Sequence, residues 1–229
     1  LVNGAVDAIV IGVAPGDGLP LDVAPVCFTR GTLIETAKGC VAIETLSIGD
    51  MVKTKDNGYQ AIRWIGARKI SGRELKVSPN LYAIRISAGT LGNNTPTADL
   101  IVSPQHRVLV RSNIAQKMFG TIEILVAAKQ LLQIDGIDIA SDMGNIEYFH
   151  MLFDQHEVVI SNGAETESLY TGQEALRSVG AGARAEIFAL FPELQDDAYK
   201  AEPARVLATG RMARRLAVRH IQNRKALVQ

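Results

Sequence analysis

From Thr32 to Gly163 the chain is a succession of short runs, most of them rich in β-branched residues and bounded by turn-forming residues. Thr32–Thr36 is followed by Ala37-Lys38-Gly39, and Asp50–Thr54 by Asp56-Asn57-Gly58. Tyr59–Ile65, Leu81–Ile86 and Thr121–Val126 alternate apolar and polar residues. Asp99–Val102 and Arg107–Val110 flank Ser103-Pro104, and Glu157–Ile160 closes on Asn162-Gly163. An Asn-Gly pair between β-rich runs is a strong short-range hairpin signal, because a tight primed turn needs φ > 0 at both central residues. Strands at this spacing, with no helical period between them, predict a mainly β domain. Only Ala127–Leu132 reads as a helical turn or two.

The two ends read differently. Residues 1–26 look like the tail of an upstream segment. Ala8-Ile9-Val10-Ile11-Gly12-Val13 is strand-like, Gly16-Asp17-Gly18 is a turn, and Pro20 and Pro25 keep the chain extended. Leu1-Val2 is not a natural start, so the expectation is a piece of a longer protein, with any leader peptide outside it. In residues 169–229 the period becomes helical. Thr171 and Glu174 fit a capping box. Leu176, Val179, Ala183, Ile187 and Leu190 follow helical spacing, split by Gly180 and Gly182, and Phe191-Pro192 ends that stretch. After Pro203 a last helix sets Ala213, Leu216, Ala217 and Ile221 against a face of arginines. The expected organisation is a flank (1–26), a β domain (27–168) and a helical extension (169–229).

Composition narrows the function classes. An apolar fraction of 47% supports a sizeable core, and the formal net charge is zero. Residues 203–229 carry seven Arg and Lys and no acid, so the rest of the chain is net −7. With no global positive field, no nucleic-acid partner is expected, and the basic last helix reads as a solvated face or a contact surface. Two cysteines, Cys27 and Cys40, supply neither a disulfide framework nor a four-cysteine zinc site. No apolar run reaches the roughly 18 residues of a membrane span.

One chemistry remains open to Cys27. A thiol directly after a peptide bond can attack the carbonyl before it, here Val26, and turn the amide into a thioester. The departing nitrogen must then be protonated and the oxyanion stabilised. Ser103 and His106, three apart around Pro104, can converge at one turn, and Pro104 marks an interruption in the ladder rather than a strand centre. By itself Cys27 would be a buried thiol; Cys40 is read that way, packed on a strand. His150 is a second acid–base candidate. His150 and His156, six apart, would share one face of an unbroken strand, but too few further ligands accompany them for a metal site. Ser168 is a candidate acyl acceptor or a linker residue. Asn162-Gly163 reads as a turn, and Asp99 as a solvated strand-edge acid.

The residues Cys27-Phe28, Gly31-Thr32, Ile34, Thr36, Gly39, Ile43, Leu46, Gly49-Asp50 and Val52 resemble the opening block of Hint domains. These are the self-processing modules shared by hedgehog proteins and inteins. Ser103-Pro104-Gln105-His106 resembles the family's Thr-x-x-His block, with Ser in place of Thr. Glu147–Phe153 and His156–Gly163 resemble the C-terminal block, with His150 where the family has Asp. Ile62–Gly66 and the helical tail resemble the bacterial branch, with secretion or a cell-surface location left open. The resemblance spans about residues 27–168 and implies a horseshoe of short strands. It also implies Cys27 as nucleophile, His106 as proton donor and Ser103 as the group that positions the bond. It departs from splicing inteins at Thr166-Glu167-Ser168, where an Asn would be needed: Glu167 has no carboxamide to cyclise.

The expected function is therefore self-processing, an N-to-S acyl shift at Val26–Cys27 followed by cleavage. It acts once, in cis on the upstream segment, and requires neither metal nor organic cofactor. Catalytic candidates are Cys27, Ser103, His106 and His150, with His156 and Ser168 as secondary ones. The alternatives are a non-processing β domain that binds a partner, and a Cys–His hydrolase acting in trans.

Overall fold

The computed structural model describes residues 26–172, 176, 180–196, 198 and 200–229. The strand expected at Ala8–Val13, the Gly16–Gly18 turn and the Thr171–Glu174 capping box lie wholly or partly outside them.

The protein is mainly β, as the run spacing predicts. The strands of the first half are β1 (Phe28–Thr29), β2 (Leu33–Thr36), β3 (Gly39–Ala42), β4 (Met51–Lys53), β5 (Tyr59–Ala61), β6 (Trp64–Ile70) and β7 (Ile84–Ile86). Those of the second half are β8 (Leu100–Val102), β9 (Arg107–Arg111), β10 (Glu123–Ala127), β11 (Ile137–Ile139), β12 (Ile146–Leu152), β13 (Val158–Ser161), β14 (Ala164–Glu167) and β15 (Val206–Leu207). They form a six-stranded sheet, β11-β7-β8-β1-β12-β6, and a nine-stranded sheet, β15-β10-β9-β14-β13-β2-β4-β5 with β3 on β2. Side chains from both sheets, Phe28, Val102 and Phe149 from one and Ile34, Val108 and Val159 from the other, share one apolar core.

The turn residues act as the sequence requires. Asn162 (φ 44°) and Gly163 (φ 76°) close β13 onto β14, with Ser161 opposite Ala164, the two-residue turn that needs positive φ twice. Asn162 also ties three segments: its Oδ1 accepts from Leu33 N at 2.8 Å, and its Nδ2 donates to Asp99 O at 2.8 Å. Asp99, in turn, accepts from Ala88 N at 3.0 Å, so it fixes a loop rather than standing free in solvent.

Several elements depart from the sequence expectation. Tyr59–Ile65 is broken at Ile62-Arg63 into β5 and β6, because Ile62 turns inward to exchange backbone bonds with Gly49 and Asp50. Two short helices interrupt the β region, α1 (Gly72–Val77) and α2 (Asn113–Phe119). Each has a legible cap: Ser71 and Glu74 form a capping box, and Ser112 caps α2, which ends at left-handed Gly120. Ala128–Gln130 is a single 3₁₀ turn.

The C-terminal part folds onto the β domain. It holds α3 (Ala181–Leu190) and α4 (Gly210–Gln222), with β15 between them pairing in parallel with β10. Gly180 precedes α3, and Gly182 lies inside it. On α4, Ala213, Leu216, Ala217 and His220 are buried, whereas Ile221 is 47% exposed. Ile221 stands about 100° round the helix from His220, beyond the edge of the buried stripe. The burial of His220 is locked by Ser112 Oγ, 3.0 Å from its Nε2, and by the Lys225 carbonyl, 3.1 Å from its Nδ1. Cys40 is exposed rather than packed, because β3 pairs only with β2 at the sheet margin; neither cysteine is in a disulfide. Among the described residues no helix is long and apolar enough to cross a membrane.

Candidate active site

Strand register builds the site. β1 lies between β8 and β12, with Phe28 opposite Val102 on one side and Phe149 on the other. One residue back along β1 is Cys27. One residue on along each antiparallel neighbour are Ser103 and His150. The ladder thus delivers a thiol, a hydroxyl and an imidazole from three distant parts of the chain to one level.

Each makes a defined contact. Ser103 Oγ accepts from Cys27 N at 2.9 Å, and Ser103 N donates to Cys27 O at 3.0 Å. His150 Nδ1 lies 2.8 Å from Val26 O, and its Nε2 lies 3.6 Å from Cys27 Sγ. A carbonyl oxygen only accepts, so the neutral ring carries its proton on Nδ1 and presents the Nε2 lone pair to the thiol. One side chain therefore touches both the Val26 carbonyl, through its oxygen, and the Cys27 thiol, through its sulfur.

Cys27, Ser103 and His106 have no exposed surface, and His150 is 5% exposed. Burial pushes the Cys27 thiol well above its ordinary pKa, against the opposing Ser103 hydroxyl and the Arg68 charge. Burial brings His150 down to about 4, against the Val26 carbonyl bond, with Arg68 adding to the fall. The resting pair is thus thiol and neutral imidazole, not thiolate and imidazolium.

His106 packs its ring edge-on against Phe28, with centroids 4.4 Å apart. Its backbone N closes the turn on Ser103 O at 3.0 Å, so Pro104 does mark a sharp reversal between β8 and β9. Among the described residues neither ring nitrogen of His106 makes a well-aligned hydrogen bond. Burial brings this ring also to about 4, against the pull of the Glu167 charge.

The other histidine candidate is not brought to the bond. β12 ends at Leu152, so His156 sits in the following loop and does not share a strand face with His150. Its Nδ1 accepts from Ala204 N at 3.1 Å, and its Nε2 is 3.3 Å from Glu167 Oε2. Glu167 is fully buried; Arg107 N donates to its Oε1 at 2.8 Å, and Arg107 Nη1 lies 3.1 Å from its Oε2. Burial pushes the Glu167 carboxyl up, but His156, Arg107 and His106 more than offset it and leave it below the usual carboxylate value. Ser168 Oγ accepts from Glu157 N at 2.9 Å and serves to seat the chain after β14. No group of three or more His, Cys, Asp or Glu side chains suited to a metal ion occurs among the described residues.

Sequence reasoning missed two neighbours. Arg68, on β6 opposite Tyr148, is the cation nearest the pair, and nothing in its local sequence marks it. Trp64, the only tryptophan, sets its ring 6.3 Å from that of His150. The indole fits because residue 66 is glycine: a Cβ there would lie 2.3 Å from the Trp64 ring.

A buried thiol under a backbone carbonyl, flanked by an imidazole and a hydroxyl on two crossing ladders, defines a class: self-processing β modules. A family model described as "Hint domain" matches residues 26–173, and the chain belongs to that family. Solved structures that resemble it include the gp41-1 intein, at 12% identity, covering 62% of this chain and 98% of that one, with a TM-score of 0.40. Another is the bacterial intein-like domain from Clostridium thermocellum, at 16% identity, 64% and 99% coverage and a TM-score of 0.38. A third is a DnaB intein from Synechocystis sp. PCC 6803, at 12% identity, 62% and 98% coverage and a TM-score of 0.37. No curated protein matches the chain. Membership rests on the family model, since structural likeness at these scores is too distant to add to it.

Proposed function

We propose that this Hint domain activates its own Val26–Cys27 bond by an N-to-S acyl shift and is cleaved there without ligation. The observation that carries the reading is the double contact of His150, with Nδ1 on the Val26 carbonyl oxygen and Nε2 on the Cys27 sulfur. His150 Nε2 takes the thiol proton as Sγ attacks the carbonyl carbon. The resulting imidazolium holds the oxyanion through Nδ1–H, so base and oxyanion donor are one ring. The C–N bond then breaks, and the Cys27 nitrogen leaves with one added proton.

His106 is the donor at that nitrogen. Ser103 fixes the nitrogen from the β8 side, while the His106 ring is buried against the Cys27 backbone. The thiol proton taken up by His150 is passed to the nitrogen by way of His106, which begins and ends neutral, so the proton count closes within the site. The product is a Val26–Sγ thioester and a free Cys27 amine. Water or an added thiol opens the thioester. Each molecule reacts once, in cis, and no cofactor enters the scheme. Glu167, held by Arg107 and unable to cyclise, leaves no route to splicing at the far end.

The test is the intact mass of the purified chain. Incubation with excess thiol is expected to release residues 1–26, and Cys27→Ala abolishes the release. A chain of unchanged mass after prolonged incubation with thiol or hydroxylamine would sink the reading.

A further inference from the structure

The bond is also held by the side chain that precedes it. Val26 is 6% exposed and packs in one apolar cluster with Trp64, Leu152, Leu169, Leu176 and Ile187. Three sources meet there. Trp64 and Leu152 come from adjacent strands, β6 and β12, directly opposite each other. Leu169 follows β14, its N donating to Met151 O at 2.8 Å. Ile187 comes from α3, where it is the buried residue. The helix is pinned over the cluster by its own Glu186, whose Oε2 accepts from Trp64 Nε1 at 2.9 Å.

The indole therefore has two roles: its ring packs in the apolar cluster that holds Val26, and its N–H fastens α3 over that cluster.

We infer that α3 and Trp64 form a specificity pocket for the residue preceding the scissile bond, and that the pocket selects a branched aliphatic side chain there. The inference rests on the cleavage reading above and names its substrate preference. The scissile strand is then gripped at three places: the Val26 side chain by the pocket, the Val26 carbonyl by His150 and the Cys27 amide by Ser103. Holding the carbonyl within reach of the thiol depends on all three, since small displacements of a reacting group cost large factors in rate. A charged residue at position 26 would have to enter an apolar, water-free space, which is strongly unfavourable. A larger residue would have to displace Ile187 or the indole from a close-packed wall.

The test is a size-exchange experiment on the full chain, read by thiol-induced cleavage rate and by the emission of the single tryptophan. Val26→Ile is expected to cleave at a rate close to the parent. Val26→Phe should be slower by about tenfold or more, in the range of hydrophobic-pocket discrimination. Ile187→Ala, by vacating volume, should restore much of the Val26→Phe rate. Val26→Asp should lose cleavage and shift Trp64 emission to the red, as the pocket opens to water.

Equal rates for Val26→Ile, Val26→Phe and Val26→Asp in a chain that cleaves would overturn the pocket while leaving the self-cleavage reading intact. A parent chain no more reactive than Cys27→Ala would overturn the cleavage reading, and with it the preference. Emission unmoved by Val26→Asp would then show that Val26 does not occupy the pocket at all.

Discussion

Two buried places in the chain, around Val26–Cys27 and around Glu167–Ser168, are built on opposite principles. At the first, the polar groups are neutral and His106 is left without a well-aligned partner; burial has stripped the thiol and the imidazoles of charge. At the second, the carboxylate is ionised and bound to Arg107 with His156 beside it, and Ser168 is spent on a backbone N–H. Around Cys27 the contacts are between neutral groups, which leaves a proton free to change hands on the proposed reading. A site that must hold a fold commits its groups. His106 lies between the two, feeling the charge of Glu167 while lying beside Cys27.

The largest effects should separate the two places completely. Cys27→Ala is expected to abolish thiol-induced release while leaving the unfolding transition near that of the parent, as measured by mass and by denaturant titration. His150→Ala removes base and oxyanion donor together, and release should fall by about 10²–10⁴-fold, the span of a positioned acid–base group. A residual rate near that of the parent would show that another group takes the thiol proton.

Glu167→Ala attacks the other place and should do the opposite. It leaves the half-buried Arg107 and the buried His156 without their carboxylate; removing one partner of a fully buried pair costs about 3–5 kcal/mol, and the exposure of Arg107 makes the cost here smaller. The expected result is a lower denaturation midpoint, with cleavage in the still-folded fraction reduced only through His106. Loss of cleavage without loss of stability would erase the contrast.

pH provides a gentler probe. His106 and His150 have folded pKa values of about 4, below the unfolded value near 6.5. Between those limits the unfolded chain binds more protons, so stability rises with pH from about 4 to 6.5 and is fully present above that. Thermal midpoints should therefore fall as the solution is acidified through this window, and less steeply in His150→Asn. Cleavage itself should persist well below pH 6.5, because His150 stays neutral and able to accept the thiol proton. The smallest effect is reserved for Cys40→Ser: an exposed thiol at a sheet margin should change neither rate nor stability by a measurable amount.

Much of this architecture is legible in the residues because turn chemistry is local. Asp56-Asn57-Gly58 and Asn162-Gly163 state where strands reverse, and the structure reverses there. Helices α1 and α2 escape the sequence reading: Ser71 with Glu74 and Ser112 with Gly120 are local cap signals, but a short helix has too few turns to show a period. Ser103 and His106 could be paired because only Pro104 and Gln105 separate them. The sequence ranks His150 above His156 but sets both on one strand face, because where β12 ends decides which way each ring faces, and that depends on pairing with β6. Arg68 and Trp64 were invisible for the same reason: a residue is near the bond only by virtue of which strand lies beside which.

The Val26 side chain has a consequence for direction. Before cleavage it stays in its pocket because the chain tethers it there, at an effective concentration that a free segment in dilute solution does not approach. After the thioester is opened, burial of one valine, worth about 1.5–3 kcal/mol, is all this contact offers to retain the departing segment. That corresponds to roughly a ten- to hundredfold preference, too weak to offset the freedom gained on release. Under the proposed cleavage, the apolar contact that aligns the bond while it is whole is thus by itself too weak to hold the product, and loss of the tether favours the forward direction.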